Sequence, residues 1–337
     1  MTLQHPRCTT DYKLAGPVTF RRASKKKFGI WGSNLQNPSK PICGLYHADP
    51  GMLLCQADQS GADAKIVAYI TGNGMYRQLF LNKIKPHVFV ALHQFHFAWR
   101  KLVGDTIVDN AINATIPELK KVVGWKELED VIKSSDNWPG ETRFYFIGKK
   151  IGHSSNYGMR GNTFRKDLLK ESGGTIAIST GAADLLLGAY HRLFPEIMGE
   201  FHATVRETIM ETRTLRSFQG FPRYFGGLIN EKLWREAYAF IPAATVAIIT
   251  AQAITAMQNY IEDNQLNWHL LNDKHDSMLV EAPEQEIMEC AKKSKEFMEQ
   301  TLVSHKGETL QMGSGVCVGY NWNNYDSKKN PNGLKEI

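Results

Sequence analysis

The chain has 337 residues, of which 42% are hydrophobic and 22% are charged, and its formal net charge is +6. This length supports two or three subdomains around a sizeable core, and the absence of an unbroken apolar run of about eighteen residues argues against a membrane span. The five cysteines form no CxxC pair, and the N-terminus has no apolar leader-like stretch, so the composition favours reduced thiols in a cytosol over secretion, a disulfide framework or a zinc site. The modest positive charge permits nucleic-acid binding without requiring it.

The predicted elements alternate in type along the chain. After about fifty irregular residues, the pattern predicts a buried strand at 51–58, a helix from 62 to a breaker at 71–74, helical structure at 76–103, a polar peripheral insertion at 105–140, and a helix from 142 to a break at 157–158. Further along it predicts helices beginning at Ser179 and Pro195, a hairpin or extended loop at 214–227, an apolar helix at about 243–261 with Pro242 in its first turn, an amphipathic helix at about 284–302, and a last strand within 312–322. A few strands placed early and late around many helices indicate an α+β fold, with a helical middle inserted into one sheet.

The stretch LLNDKHDSMLVEAP, residues 270–283, places an aspartate directly before a strand. Alternation from Ser277 predicts that strand, Pro283 ends it, and the apolar residues 268–271 are its expected hairpin partner, with Asn272 and Asp273 as turn residues. Asp276 at the mouth of this hairpin is either a turn cap or a metal ligand. On this segment alone, a turn cap is favoured.

A second aspartate changes this balance. Asp58 ends the apolar strand 51–58, so Asp58 and Asp276 can meet where two buried strands end. A carboxylate pair that bridges two divalent ions about 3.5–4 Å apart is what in-line phosphoryl transfer requires. Because Mg²⁺ uses a few carboxylates together with substrate phosphates, a larger acidic cluster is not needed.

A row of polar rings and a cation recurs every four residues in YFIGKKIGHSSNYGM, which predicts one helix face. The row consists of Tyr145, Lys149, His153 and Tyr157. Such a face is a poor core stripe but suits a triphosphate and a base, because the lysine neutralises phosphate charge and the rings lie flat against sugar and base.

The order of these motifs resembles the polymerase portion of family A DNA polymerases, the polymerase I type, and is closest to bacteriophage members. The segments that carry the resemblance are TFRRAS (19–24) with NLQN (34–37), QADQSGADAK (56–65), KPH (85–87), KKIGHSSNYGM (149–159), REAYAFIPAAT (235–245) and KHDSMLVEAP (274–283). Each motif is degenerate alone, but six in one order are specific. The resemblance implies a right-hand fold, with an antiparallel palm sheet from residues 1–71 and 229–337 and an inserted helical fingers subdomain at 72–228.

The resemblance also implies roles for individual residues. Asp58 and Asp276 would hold two Mg²⁺ ions, with the carbonyl of Gln59 as a further ligand. The implied nucleotide site contains Lys149 as triphosphate ligand and general acid, His87 at the triphosphate, His153, Tyr157 beside the bases, and Asp63 where the family has a Glu that excludes a ribose 2′-hydroxyl. The implied primer–template contacts are Arg21, Arg22, Asn34 and Gln36, with His275 near the primer terminus.

Some positions depart from the family pattern. Asp63 is one methylene shorter than the family Glu, and Tyr145 stands where the family has an Arg. Only about eighteen residues precede Thr19, so the sequence predicts that the thumb and exonuclease domains are absent and that a second protein chain supplies them. The expected substrates are dNTPs and primer–template DNA in the cytoplasm of a bacterial host, near the nucleoid, with no membrane partner.

Two other functions stay open at this point. A single-subunit RNA polymerase shares the helix with Lys149 and Tyr157 and the two aspartates, although Asp63 and the NLQN segment argue against it. A catalytically weak DNA-binding subunit of a replication complex is the other, and it is supported by Tyr145 and the missing thumb. Metal-dependent incorporation and the choice between dNTPs and NTPs separate the three functions.

Overall fold

The computed structural model describes residues 10–13, 19–21, 23–25, 35–36, 38, 40–137 and 143–337. Its helices are α1 Lys40–Cys43, α2 Ala62–Ile70, α3 Met75–Leu81, α4 Pro86–Gln94, α5 His96–Val103, α6 Asp105–Asn113, α7 Ile116–Leu119, α8 Trp125–Ser134, α9 Phe144–Asn156, α10 Gly161–Glu171, α11 Thr180–Leu193, α12 Ala203–Thr212, α13 Glu231–Asp263 and α14 Ile287–Met298. A 3₁₀ turn covers Ser135–Asn137, and a π-helical stretch, Ile197–His202, precedes α12. Its strands are β1 Asp11–Lys13, β2 Ala23–Lys25, β3 Met52–Gln59, β4 Thr214–Arg216, β5 Pro222–Tyr224, β6 His269–Lys274, β7 Ser277–Pro283, β8 Thr301–Val303, β9 Thr309–Gln311, β10 Ser314–Gly319 and β11 Lys335–Glu336.

The chain forms two compact units. The first contains residues 1–63, 216–223 and 240–337, and the second contains residues 64–215 and 224–239. The two units divide the chain within α2, the β4–β5 hairpin and α13. The division into palm and fingers after residues 71 and 228 stays a prediction. Mixed helices and antiparallel sheets agree with the predicted α+β class.

The central sheet of the first unit runs in the order β11-β10-β3-β7-β6, and each of its strand pairs is antiparallel. The apolar run at 51–58 accounts for the central position of β3, since a strand with neighbours on both sides is buried along its length. Alternation along β3 divides the sheet into two faces. Cys55 and Ala57 point into a large core with residues of α13 and α14, whereas Leu54 lies in a smaller cluster on the opposite face. Asp58 shares the parity of Leu54 and is exposed at the end of that face.

The second unit is helical around α4 and α9. Its largest fully buried side chains are mostly aromatic and include Trp99, Tyr76, Tyr190, Phe164, Phe194 and Phe201. The predicted N-cap at Ser179 is confirmed, because its hydroxyl accepts the Ala182 N–H at 3.1 Å. The expectation of a peripheral insertion at 105–140 is wrong for the described part, because α6, α7 and α8 bury Val108, Leu119 and Leu128 in the unit.

Helix α13 is longer than the sequence predicted. It begins at Glu231 and contains Pro242 in its interior, so the proline does not mark its first turn. The upstream residues are good helix formers, and one missing backbone N–H is tolerated where the surrounding helix is well packed. Across the described residues this is the one helix long and apolar enough to cross a membrane, with a mean hydropathy of 1.7, but 72% of that window is buried inside the protein. Such burial is typical of a core helix.

Candidate active site

The two aspartates singled out from the sequence lie at the same end of neighbouring strands in the first unit. Asp58 pairs with Ser277 across β3 and β7, and Asp276 directly precedes Ser277. The Gln59 backbone N–H donates to the Asp276 carbonyl at 2.9 Å, which joins the end of β3 to the hairpin turn. Opposed residues in an antiparallel pair have Cα atoms about 4.5–5.5 Å apart, so the ladder places the backbones of Asp58 and Asp276 at one corner of the sheet.

The hairpin turn lies at His275 and Asp276, three residues later than predicted. Lys274 pairs with Ser277, and His275 takes the positive φ of +60° that a two-residue hairpin loop requires. The predicted turn residues instead belong to β6, because tertiary hydrogen bonds satisfy them there. Asn272 donates to the Leu35 carbonyl at 2.7 Å, and Tyr12 donates to the Asn272 side-chain oxygen.

The charges around this corner fit a cation site. Burial raises the pKa of Asp276 above its ordinary value, and the nearby Asp63 raises it further, while Arg21 and Lys274 act in the opposite direction. Burial, followed by the same two cations, lowers the pKa of His275. The carboxylate at the corner is therefore costly to ionise without a positive partner.

The oxygen donors present suit a hard divalent ion. The Gln59 side chain is buried and donates to Thr250 Oγ1 at 2.8 Å. The backbone carbonyl of Gln59 stays the further ligand that the sequence predicts. Within the described parts of the chain, no three His, Cys, Asp or Glu side chains converge as a metal-binding group. A Mg²⁺ site here would be completed by substrate oxygens and water, as is usual for this ion.

Arg21, a basic residue of the TFRRAS motif, lies beside this corner. Its Nη2 lies 3.5 Å from Asp63 Oδ2, so the guanidinium pairs with the residue implied in sugar discrimination. Gln36 is buried and its Oε1 accepts the Ser24 N–H at 2.7 Å, and its DNA contact stays a prediction. The other two predicted contacts, Arg22 and Asn34, lie outside the described residues.

The predicted polar row occupies α9 in the second unit. Lys149 and His153 are exposed, and the rings of His153 and Tyr157 meet edge to face with centroids 4.8 Å apart. Tyr145 is partly buried and packs against His87, with centroids 6.1 Å apart. The polar row and the His87 ring that packs against Tyr145 are therefore parts of one surface.

His87 is neutral at physiological pH. Burial is the largest cause that lowers its pKa, to about 4, and the charges of Lys149, Lys85 and His153 lower it further. A neutral imidazole carries one N–H donor, so it can bind an anion by a hydrogen bond without a charge of its own. Burial raises the pKa of Tyr145, which stays a neutral phenol beside it.

Gly148 fixes the distance between α9 and α4, and its role was not recognised from the sequence. A Cβ at residue 148 would stand 2.9 Å from the backbone oxygen of His87 and 3.2 Å from the Ala91 Cβ. Only glycine allows this approach, which forces Lys149 to lie beside the first turn of α4. The available signal was a glycine inside a helical pattern, which often marks a close packing contact.

We expect Gly148→Ala to destabilise the protein. Overpacking against a backbone atom costs about 1–3 kcal/mol, which exceeds the roughly 1 kcal/mol that alanine gains over glycine in a helix interior. Gly188→Ala is the matched control, because its Cβ would meet only the Arg192 side-chain end at 3.5 Å within α11. Urea unfolding of both variants should show a loss for residue 148 and no loss for residue 188. Equal stability of the two variants would contradict the close contact.

A buried polar network holds the C-terminal end of α9. Asn156 donates to Tyr76 at 3.0 Å and accepts from Tyr190 at 2.7 Å, and the His202 Nε2 lies 2.8 Å from the Asn156 carbonyl. Gly158 follows with φ of +67°, and its Cα faces the Tyr238 ring so closely that a Cβ would lie 2.9 Å from it. The network sets the position of Tyr157, and no sequence pattern indicated it, because its members are distant in sequence.

Neither protein-family models nor curated protein sequences match this chain. Among solved structures, the POL domain of Pol1 from M. smegmatis, in complex with DNA primer-template and dNTP, is similar over 93% of the chain with a TM-score of 0.63. The chain has the fold of a DNA polymerase I polymerase domain. Sequence identity is 19%, so the similarity concerns the fold alone, and the chain spans 47% of the length of that protein. The resemblance read from the motifs is thereby supported at the level of a polymerase-like fold.

Proposed function

We propose that this chain is the palm and fingers portion of a bacteriophage-like family A DNA polymerase, which adds deoxynucleotides to a primer 3′-hydroxyl as directed by a template. What supports the proposal is that Asp58 lies opposite Ser277, the residue after Asp276, at one end of two neighbouring strands in a chain with a polymerase-like fold. The first unit would be the palm, and the second would be the fingers. The neighbour was solved with primer-template and dNTP, which supports DNA and nucleotide as ligands here.

Two Mg²⁺ ions, when bound, would activate the primer hydroxyl and stabilise the leaving pyrophosphate. Asp58, Asp276 and the Gln59 carbonyl would hold them, since these oxygens are the donors at the corner. His275 beside Asp276 would lie near the primer end. Its lowered pKa favours the neutral imidazole, which would not repel the metal ions.

The second unit would bind the incoming dNTP on the α9 face. The exposed Lys149 would neutralise the triphosphate and give a proton to the departing pyrophosphate, and the neutral His87 would donate a hydrogen bond to it. His153 and Tyr157 would lie against sugar and base, because their rings already pack together at the end of the helix.

Asp63 and Arg21 would act at the sugar and the primer. The pair places a carboxylate near the catalytic corner, where it would disfavour a ribose 2′-hydroxyl. Arg21 would alternate between this carboxylate and the primer–template backbone. A second protein chain would supply the thumb and the exonuclease, in the cytoplasm of the host bacterium.

Primer extension with Mg²⁺ and dNTPs tests the proposal. We expect Asp58→Ala to lower the rate of incorporation by about 10³-fold or more, because it removes several kcal/mol of transition-state stabilisation. Asp263→Ala is the control, since Asp263 is exposed at the end of α13. Extension that survives Asp58→Ala would contradict the two-metal assignment.

The same assay separates the alternatives. Preferred use of NTPs would favour the RNA polymerase. DNA binding without extension, even after candidate partner chains are added, would favour a non-catalytic subunit.

A further inference from the structure

The N-terminal end of α4 presents a lysine that the predicted nucleotide site did not include. Lys85 is exposed and stands immediately before the helix, with Pro86 as the first helical residue. Its backbone is fixed in an extended conformation, because its carbonyl accepts the N–H groups of Val88 and Phe89 at 3.0 and 3.2 Å. The side chain therefore starts from a defined position two residues before His87.

Helix α9 forms the other side of the same surface. The Gly148 contact brings α9 against the His87 backbone, and Lys149 is the next residue after that contact. The Tyr145 ring packs against the His87 ring from the same helix. The two lysines thus flank one imidazole, each on its own helix.

The charged groups that act on His87 are all basic, whereas the acidic Asp136 and Glu129 act on the neighbouring Tyr145. Lys150 pairs with Glu171, whereas neither Lys85 nor Lys149 has an acidic partner among the residues that the structure describes. Both lysines act on His87 in the direction that keeps the imidazole uncharged. Two unpaired ammonium groups around a neutral N–H donor fit an anion with several oxygens, because each group can take a different oxygen.

We propose that Lys85 binds the polyphosphate of the incoming nucleotide together with His87 and Lys149. The inference rests on the proposed function and extends it by one binding residue on a different helix. The α9 row supplies one lysine and begins with an uncharged tyrosine, so a triphosphate bound there needs another cation. Lys85 supplies that cation from α4.

Equilibrium binding of inorganic tripolyphosphate to the whole chain tests the proposal without a polymerase reaction. Lys85→Gln should weaken binding by about tenfold, which is the effect of losing one charge-assisted hydrogen bond. Lys85→Arg should keep most of the affinity, since it retains the charge. Lys101→Gln is the control of equal charge change, because Lys101 is exposed on α5. Unchanged binding in Lys85→Gln, an equal loss in Lys101→Gln, or no binding by the wild-type chain would overturn the proposal.

The NMR titration of the His87 ring gives a second readout. Lys85→Gln should raise the pKa of His87 in the free protein, because it removes a like charge, and Lys101→Gln should leave it unchanged. An unaltered His87 titration in Lys85→Gln would show that Lys85 lies elsewhere and would overturn the proposal. Failure of the proposed function is seen separately, as primer extension that is absent or insensitive to Asp58→Ala.

Discussion

Asp276→Asn is expected to lose about 10³-fold or more of nucleotide incorporation and yet to unfold at the same temperature as the wild-type chain or above it. If Asp276 holds a metal as proposed, the activity falls because an amide cannot replace that carboxylate, a loss of several kcal/mol in the transition state. The fold survives because the structural bond at this residue uses its backbone carbonyl, which accepts the Gln59 N–H and is kept in the variant.

The stability gain has a defined pH dependence. The pKa of Asp276 is raised in the folded protein, mainly by burial and then by Asp63, so the folded state binds the proton more tightly than the unfolded chain does. Below the ordinary pKa of 3.8 the carboxyl is protonated in both states and costs nothing. As the pH rises through the folded-state pKa, the wild-type chain loses stability that the asparagine variant keeps. Thermal unfolding at pH 4 and pH 8 should therefore show a larger advantage for the variant at pH 8.

Magnesium provides the control for this prediction. Mg²⁺ should raise the unfolding temperature of the wild-type chain, because it binds the folded state, and should have a smaller effect on Asp276→Asn. Asp263→Asn, a change at an exposed position outside the corner, should behave as the wild-type chain. A variant that is both inactive and strongly destabilised, with no response to pH, would indicate a turn cap in place of a metal ligand.

The backbone arrangement of the corner that holds Asp58 and Asp276 could be predicted because its elements are local. The run that ends at Asp58 and the alternation that begins at Ser277 each fix a strand, and two buried antiparallel strands of one sheet bring their ends together. The position of the turn could not be predicted in this way. Asn272 has strong turn propensity, but Leu35 and Tyr12 satisfy its side chain within a strand, and both partners are more than 200 residues away in sequence.

Other differences have the same origin. Pro242 indicates a helix start by local preference, and tertiary packing carries the helix through it. The polar character of residues 105–140 suggested an insertion, although apolar residues such as Val108, Leu128 and Ile132 are buried at helical spacing. The hydrogen bond from the Ser24 N–H in β2 to the Gln36 side chain was likewise not indicated by the sequence. In each case a contact with a distant part of the chain determines the local structure, and a short stretch of sequence does not contain that information.

The α9 face shows which features a periodic sequence pattern can predict and which it cannot. A four-residue spacing was enough to place Tyr145, Lys149 and His153 on one helix face, since the geometry of a helix depends only on the chain itself. His87, which lies next to that face, was singled out from the KPH motif. The close contact between α4 and α9 depends on Gly148, which the sequence did not single out. The addition of Lys85 requires the packed structure, because only packing shows which charges surround the imidazole.

Lys149→Gln should lower kcat/KM for dNTP incorporation by about 10²-fold or more, through both weaker triphosphate binding and the loss of a proton donor to pyrophosphate. Lys150→Gln is a matched control, because the two lysines are adjacent in sequence but about 100° apart around α9, and Lys150 pairs with Glu171. The first variant should keep the stability of the wild-type chain, since Lys149 is exposed, and the second should keep its activity. Single-turnover incorporation at saturating dNTP separates triphosphate binding from proton transfer. If the rate of the Lys149→Gln variant recovers fully, binding is the only role of Lys149. If the rate stays low, Lys149 also transfers a proton. Equal losses in both variants would mean that general positive charge on α9, and no specific contact of Lys149, carries the effect.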